Sequence, residues 1–264
     1  MEDNTWKISE QVHAEKHRQK GETHKESCAR VASALKDSDE HFAHFKDILV
    51  ERRFLTGGRV HSSVGATRTT TAFNCFVMST IPDSMEGITS VLAEAAQTLR
   101  MGGGVGYDFS TLRPRHDIVK SLDSSSSGPV SFMGVFDALC ATISSAGHRR
   151  GAQMATLRVD HPDIEEYVTA KNNFDRLTNF NISVLITDEF MECALNDKPF
   201  DLRFDGRVYR TINAKNLLDT ILRSNWDWAE PGVLFIDRIN SKNNLWYIEK
   251  IASTNPCKAD YCMA

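Results

Sequence analysis

Short apolar runs alternate with helical patterns along most of this chain, and that alternation restricts the folds open to it. Candidate strands lie at residues 72–79 (AFNCFVMS), in MGGGVGYDFS at 101–110 after three consecutive glycines, and at 152–159, 179–187 and 233–237. Candidate helices fall between them, the first from 85 to about 100. Pro129 opens the next, with Phe132, Val135, Phe136, Leu139 and Ile143 on its apolar face. A third is capped by Asp160-His161-Pro162-Asp163 and runs to about 171, and others span 188 to about 196 and 213 to about 226. Residues 201–212 alternate around Asp205-Gly206 and read as a β-hairpin. Strands spaced by helices predict an α/β architecture with a parallel sheet, whose ligand sites sit at the carboxyl ends of its strands. Upstream, residues 7–53 read as three helical pieces (8–20, 27–36 and 41–53), the last with Phe42, Phe45, Ile48 and Leu49 on one face. That region is rich in His, Lys and Glu and reads as a solvated cap without chemistry. The glycine- and hydroxyl-rich stretch 56–71 reads as backbone packed closely against a neighbour.

Composition narrows the function classes. With 264 residues, 41% hydrophobic and 25% charged, the chain is large enough for a sizeable core. A net charge of −4 supplies no basic field for nucleic acid, so a nucleotide would have to be held locally. No run approaches a membrane span and the N-terminus has no apolar signal-peptide core, which points to the cytoplasm and away from membranes. The six cysteines include no CxxC pair and no Cys/His spacing typical of zinc, so no metal site is expected. In a reducing compartment a disulfide among them would be catalytic rather than structural.

Several stretches carry candidate chemistry. Leu245, Ile248 and Ile251 read as a helical run entering IASTNPC, and Pro256 would then put Cys257 on a short stiff loop leaving that helix. Taken alone, such a cysteine is more often a small buried hydrophobe than a reactive thiol. Asp83 stands where a helix N-cap belongs, able to cap amides or to accept a sugar hydroxyl. The glycines at 102–104 follow a helix and precede a strand, which rules out a Rossmann or P-loop reading. Residues 112–128 form a long mixed loop, basic at its start and serine-rich at its end. Arg149 and Arg150, flanked by Gly147 and Gly151, suit either a grip on anionic oxygens or a solvated turn. His161, beside a proline at a helix start, is a capping or packing residue before it is a base.

The ordered set TGGRV, FNCFV followed by PDSMEGI, GGGVGYDFSTLRP, SGPVSFMGVFDA, RRGAQMATLRVDHPDIEEY, INAKNLLDTI, PGVLFIDRIN and ASTNPC resembles the catalytic subunit of ribonucleotide reductases. It looks most like the adenosylcobalamin-dependent class II enzymes. The resemblance implies a helical region at 1–54, the first half of a ten-stranded α/β barrel at 55–257 with a finger loop at its centre, and a divergent tail at 258–264. By resemblance Cys257 is the cysteine that becomes a thiyl radical and takes the 3′ hydrogen of the ribonucleotide. Cys75 is the reducing cysteine under the ribose, and Asn255 and Asn74 hold substrate. Asp83, the loop beginning at Arg113, and Arg149, Arg150, Gly151 and Gln153 match the site for a deoxynucleoside triphosphate effector and its two loops. Implied partners are a ribonucleotide, the effector, the other half of the barrel and a thioredoxin- or glutaredoxin-type reductant; a homodimer is compatible.

Two departures bear on activity. The family continues N-P-C-G-E, whereas this chain reads Cys257-Lys258-Ala259, with alanine in place of the base; Asp260 is one residue out of register. The match also ends near Cys257, which leads us to expect the N-terminal part of a reductase that needs its C-terminal half. A class I large subunit and a non-catalytic deoxynucleotide-binding module are the alternatives.

Overall fold

The computed structural model describes residues 4–119, 123–143, 151–172 and 175–256. The chain divides into two compact units, the first comprising residues 1–74, 101–103 and 145–149 and the second comprising the remainder.

The first unit holds helices α1 (Asn4–Lys16), α2 (His24–Leu35), α3 (Asp39–Val50) and α4 (Gly58–Ser63). Helix α2 starts three residues earlier than its apolar pattern suggests because Thr23 and Glu26 form a capping box. The Thr23 hydroxyl accepts from the Glu26 N–H at 3.3 Å, and the Glu26 carboxylate accepts from the Thr23 N–H at 2.8 Å. Ser38 caps α3 by accepting from the His41 N–H at 3.0 Å. Cys28, Val31 and Leu49 form a small core, with Val50 and Val64 against it. The glycine- and hydroxyl-rich stretch after residue 56 contains α4 and packs closely, a Cβ on Gly58 falling 2.6 Å from His17 Cε1 and one on Gly65 3.1 Å from the Arg30 carbonyl oxygen.

The second unit is built on five parallel strands: β1 (Cys75–Val77), β2 (Gly104–Asp108), β5 (Gln153–Arg158), β6 (Phe180–Ile186) and β9 (Gly232–Phe235). Helix α5 (Met85–Arg100) joins β1 to β2. The chain then passes through the short pair β3 (Ile118–Val119) and β4 (Ser124–Ser125) and helix α6 (Pro129–Thr142) to β5. Helix α7 (Ile164–Thr169) leads to β6. Helix α8 (Asp188–Leu195), the hairpin β7 (Pro199–Phe204) and β8 (Arg207–Asn213), and helix α9 (Ala214–Trp228) lead to β9, which runs into α10 (Ile236–Ser241).

Each new parallel strand joins the same side of the sheet, in the order β1-β2-β5-β6-β9. Crossovers of one hand then gather the helices on one face. The main core bears this out: Ile88, Val91 and Leu99 of α5, Met133 and Phe136 of α6, and Leu217 and Ile221 of α9 pack with Val105, Tyr107, Leu157, Ile182 and Val184 of the strands. The opposite face consists of the alternate residues, and a separate cluster of Met154, Leu185, Leu234 and Ile236 lies there, with Ile251 packed against it. A parallel five-stranded sheet with helices is thus established, consistent with part of a barrel.

Several local expectations need correction. The buried face of α6 is Val130, Met133, Phe136 and Cys140, while Val135 is 48% exposed, so the helix is rotated from the predicted stripe. Strand β1 is three residues long and half-exposed, not a buried strand over 72–79. Helix α7 covers only Ile164–Thr169, and no side chain of Asp163 caps it. The run Leu245, Ile248, Ile251 is not helical: α10 ends at Ser241, residues 244–248 turn, and Leu245 and Ile248 are exposed. Residues 249–255, which precede Cys257 in the sequence, therefore form no regular element. What holds that chain is Asn240, whose Nδ2 donates to the Ile251 carbonyl at 2.9 Å and whose Oδ1 accepts from the Ile251 N–H at 2.8 Å.

Candidate functional site

On the face of the sheet opposite the main core, the apolar cluster of Met154, Leu185 and Leu234 lies to one side, and the side chains beside it on β1, β2, β5 and β6 are mostly small or polar. Register places Cys75 beside Gly104, Val77 beside Gly106, Asp108 beside Thr156, and Thr156 beside Ser183. Glycine is required on β2 because residues 251–256 run across it as a strap. A Cβ on Gly106 would lie 2.0 Å from the Thr254 carbonyl oxygen, closer than any real contact allows. The Thr156 and Ser253 hydroxyls are hydrogen-bonded at 3.1 Å, and Ser253 and Thr254 are buried.

The strap ends beside Cys75. A Cβ on Gly104 would meet the Cys75 sulfur at 3.1 Å and Pro256 Cγ at 3.3 Å, so sulfur and ring carbon lie no further apart than those two distances together. Asn255, on the strap, and Cys75, on β1, are half-buried, and Asn74 is exposed. Cys257 itself lies outside the described residues, as do Arg149 and Arg150. At the carboxyl end of β2, Asp108 accepts from the Ser110 N–H at 2.9 Å, and burial raises its carboxyl above the usual range.

Asp83 belongs to a second region, and it is not the N-cap of α5. That position falls to Ser84, the residue directly before the helix, whose hydroxyl accepts from the Gly87 N–H at 3.0 Å. Asp83 instead accepts from the Arg113 backbone N–H at 3.2 Å and from Arg113 Nε at 2.7 Å. The pair lines a cavity of about 680 Å³ whose other walls are residues 117–119 and the tip of the β7–β8 hairpin. A neighbouring cavity of about 740 Å³, lined by Arg158, Asp160, His161 and Arg203, has its arginines already bonded to Asp160 and Asp201.

Behind these cavities, Gly151 packs on the Cys140 sulfur, where a Cβ would sit at 2.6 Å. Burial pushes that thiol up to about 11, making it inert at neutral pH. Gln153 is fully committed to the core: its amide oxygen accepts from the Tyr107 hydroxyl at 2.9 Å and its Nε2 donates to the Phe136 carbonyl at 3.1 Å. His161 is a packing residue, with Nε2 donating to the Leu112 carbonyl at 3.0 Å and Nδ1 accepting from the Asp163 N–H at 3.1 Å. Burial lowers its basicity.

Two features were not anticipated from sequence. The hairpin residues Phe204, Arg207 and Tyr209 join the Asp83 cavity although Tyr209 and its partner Asp117 are 92 positions apart. In the first unit, His13 packs edge-on against His17, His24 and His61, with ring centroids 4.7 to 5.5 Å away. Among the described residues no group of three or more His, Cys, Asp or Glu is placed to hold a metal ion. Among them, too, no helix is long and apolar enough to cross a membrane.

Comparison with known proteins shows the family. Residues 73–259 match the family described as ribonucleotide reductase, barrel domain. A vitamin B12-dependent ribonucleoside-diphosphate reductase of Thermoplasma acidophilum is 42% identical over 186 residues, covering 69% of this chain and 24% of the relative. One from Mycobacterium tuberculosis is 40% identical over 186 residues, covering 69% and 27%. A vitamin B12-dependent ribonucleotide reductase of Streptomyces clavuligerus is 32% identical over 235 residues, covering 79% and 24%. The chain thus spans about a quarter of the length of the curated relatives it matches. It belongs to the ribonucleotide reductase barrel-domain family, a family of enzymes.

Proposed function

We propose that this chain forms the first part of the ten-stranded barrel of an adenosylcobalamin-dependent ribonucleotide reductase, converting a ribonucleotide to its 2′-deoxy form by thiyl-radical chemistry. Residues 1–54 are the helical region, 55–257 the half-barrel with its effector loops, and 258–264 a divergent tail. The observation that supports the proposal is the strap, which brings Pro256, the residue before Cys257 in sequence, to the same glycine on β2 that Cys75 adjoins. A sulfur radical survives only where water and competing hydrogen donors are excluded, and Ser253 and Thr254, buried against the sheet, begin such an enclosure.

Cys257 takes the 3′ hydrogen atom of the ribose. Asn255 and Asn74 orient the sugar. Cys75 and a second thiol outside this chain supply two electrons and end as a disulfide, while the 2′-hydroxyl leaves as water. A thioredoxin- or glutaredoxin-type protein then reduces that disulfide. The cofactor, when bound, supplies the homolysis that removes the thiol hydrogen. On this face Cys75, Asp108, Thr156 and Ser183 lie with Val77, Met154 and Leu185, and none of them is assigned to the corrin. The corrin would be held with the help of the rest of the barrel, of which this chain matches about a quarter of the relatives' length, and turnover would need that part.

Asp83, Arg113, Arg149, Arg150 and Gly151 bind a deoxynucleoside triphosphate effector, with Gln153 anchoring the loop to the core. A cytoplasmic, reducing setting and a homodimer accord with this chemistry. Ala259 at the position of the family's base favours a second function, an effector-binding module without catalysis. The test is turnover of the chain assembled with the remaining barrel. Deoxyribonucleotide should form only with adenosylcobalamin and should vanish in Cys257→Ser and Cys75→Ser. Turnover without cobalamin, using a radical-supplying partner protein, would indicate a class I subunit, and effector binding with no turnover would indicate the regulatory module.

A further inference from the structure

Asn240, near the end of α10, and Asn243, just past it, have no part in the proposed chemistry, yet both bond the chain that follows through their side-chain amides. Asn243 Oδ1 accepts from the Leu245 N–H at 2.9 Å and its Nδ2 donates to the Glu249 carbonyl at 3.3 Å, which holds the turn at 244–248. Asn240 takes hold of the strap itself. Its Nδ2 donates to the Ile251 carbonyl at 2.9 Å and to the Ile236 carbonyl of its own helix at 3.0 Å, and its Oδ1 accepts from the Ile251 N–H at 2.8 Å. Turned over, the amide would set its NH2 against an N–H and its oxygen against two carbonyls, so one orientation alone satisfies it.

Two bonds to one residue fix register as well as contact. In extended chain the N–H and C=O of a residue point to one side and those of its neighbours to the other, so a slip of one residue would leave the amide facing the wrong edge. The nearest slip that restores both bonds is two residues, about 7 Å along the strap. That slip is opposed further along. It would part Ser253 from Thr156, whose hydroxyls are 3.1 Å apart, and would carry the Thr254 carbonyl off Gly106, where the absence of a side chain makes room for it. The Ile251 side chain adds an apolar hold, packed against the cluster of Met154, Leu185, Leu234 and Ile236.

We propose that Asn240 is a positioning residue for the reductase chemistry, fixing the register in which the strap presents Cys257. The inference rests on the radical role proposed for Cys257 and adds to it the group that sets its place. Asn240 acts through the strap and not on the reacting atoms. Residues 251–256 span at most roughly 17 Å, so a shift at Ile251 is passed along the strap toward the thiol, and a misplacement of about 1 Å at a reacting group costs up to about 100-fold in rate.

The test compares wild type with Asn240→Asp, Asn240→Ala and a control on the same helix, Arg238→Ala, whose side chain pairs with Asp188. Asn240→Asp keeps the shape and sets an oxygen against the Ile236 and Ile251 carbonyls, so it carries the test if Asn240→Ala fails to fold. Hydrogen exchange of residues 249–256 is read in the purified chain, and kcat and KM for the ribonucleotide are read after assembly with the remaining barrel. Both Asn240 variants should open 249–256 about tenfold faster or more, the scale of two lost hydrogen bonds, with exchange in β5 and β6 unchanged. Their kcat should fall about 10- to 100-fold, by a larger factor than KM rises, because hydrogen transfer tolerates misplacement less than binding does. Arg238→Ala should match wild type in both readings. Wild-type exchange in both Asn240 variants, faster exchange with wild-type kcat, or an equal loss of kcat in Arg238→Ala overturns the positioning role and leaves the radical reading standing. If Cys257→Ser turns over like wild type, or the assembled wild type makes no deoxyribonucleotide, both fall.

Discussion

Replacing Gly106 with alanine tests the strap by sterics alone. The added Cβ would lie 2.0 Å from the Thr254 carbonyl oxygen, 2.9 Å from the Thr254 carbonyl carbon and 3.0 Å from Asn255 Cα, all backbone atoms that cannot rotate away. Restoring ordinary contact of roughly 3.5 Å requires the strap to move about 1.5 Å off the sheet. Such overpacking costs about 1–3 kcal/mol, and the movement also stretches the buried Thr156–Ser253 hydrogen bond, worth about 1 kcal/mol. The total cannot exceed the free energy that docks the strap, because beyond that point the strap simply lifts. We therefore expect a local effect of about 2 kcal/mol, which raises the opening rate of residues 249–256 roughly 30-fold while the sheet stays folded. Hydrogen exchange read by mass spectrometry on that peptide measures it directly. Gly134→Ala is the control: it lies in α6 with nothing within 4 Å, and it should stabilise the chain by about 0.5–1 kcal/mol. Unchanged exchange across 249–256 in Gly106→Ala would refute the steric reasoning.

The histidine cluster of the first unit makes stability fall with acid. Burial, helped by the Arg18 charge for His13 and by the His13 charge for His61, holds both imidazoles at about 4. Between 6.5 and that value the unfolded chain binds protons that the folded unit rejects, so stability is intact above 6.5 and is lost as pH falls through the window. For His61, which is 6% exposed, we expect a loss of about 1–2 kcal/mol at pH 5 after solvent screening, and His61→Gln should flatten the decline in urea titrations at pH 7 and 5. Asp108 behaves in the opposite sense: its raised carboxyl keeps a proton that the unfolded chain has released, so it costs stability as pH rises above 3.8. Asp108→Asn preserves an acceptor for Ser110 and should stabilise the chain at neutral pH and not at pH 3.5; lower stability at neutral pH would contradict this account.

Much of the second unit was legible in the chain because local and global signals agree there. The runs around β5, β6 and α5 were placed within a few residues, and Asp205-Gly206 announced its hairpin. Errors fell where a distant partner overrides local pattern. Leu245, Ile248 and Ile251 repeat at a helical interval, yet Asn240 pins Ile251 in extended chain, a contact across 11 positions that no periodicity displays. Asp83 resembles a cap, and only Arg113, 30 positions away, explains why its carboxylate turns outward. Cys75 and the strap could be identified through motif order; the hairpin wall could not, since its link to Asp117 spans the whole of β5, α7 and β6.

The proposed radical chemistry requires that Cys257 lie close to Cys75. Treating the purified chain with a short bis-alkylating thiol reagent, followed by peptide mapping, measures it without any cofactor or partner. A Cys75–Cys257 cross-link as the dominant bridged product, weakened in Gly106→Ala, is the predicted result. Bridging of Cys257 to other cysteines, or single alkylation of both with no bridge, would contradict the proposal that the strap brings Cys257 to Cys75.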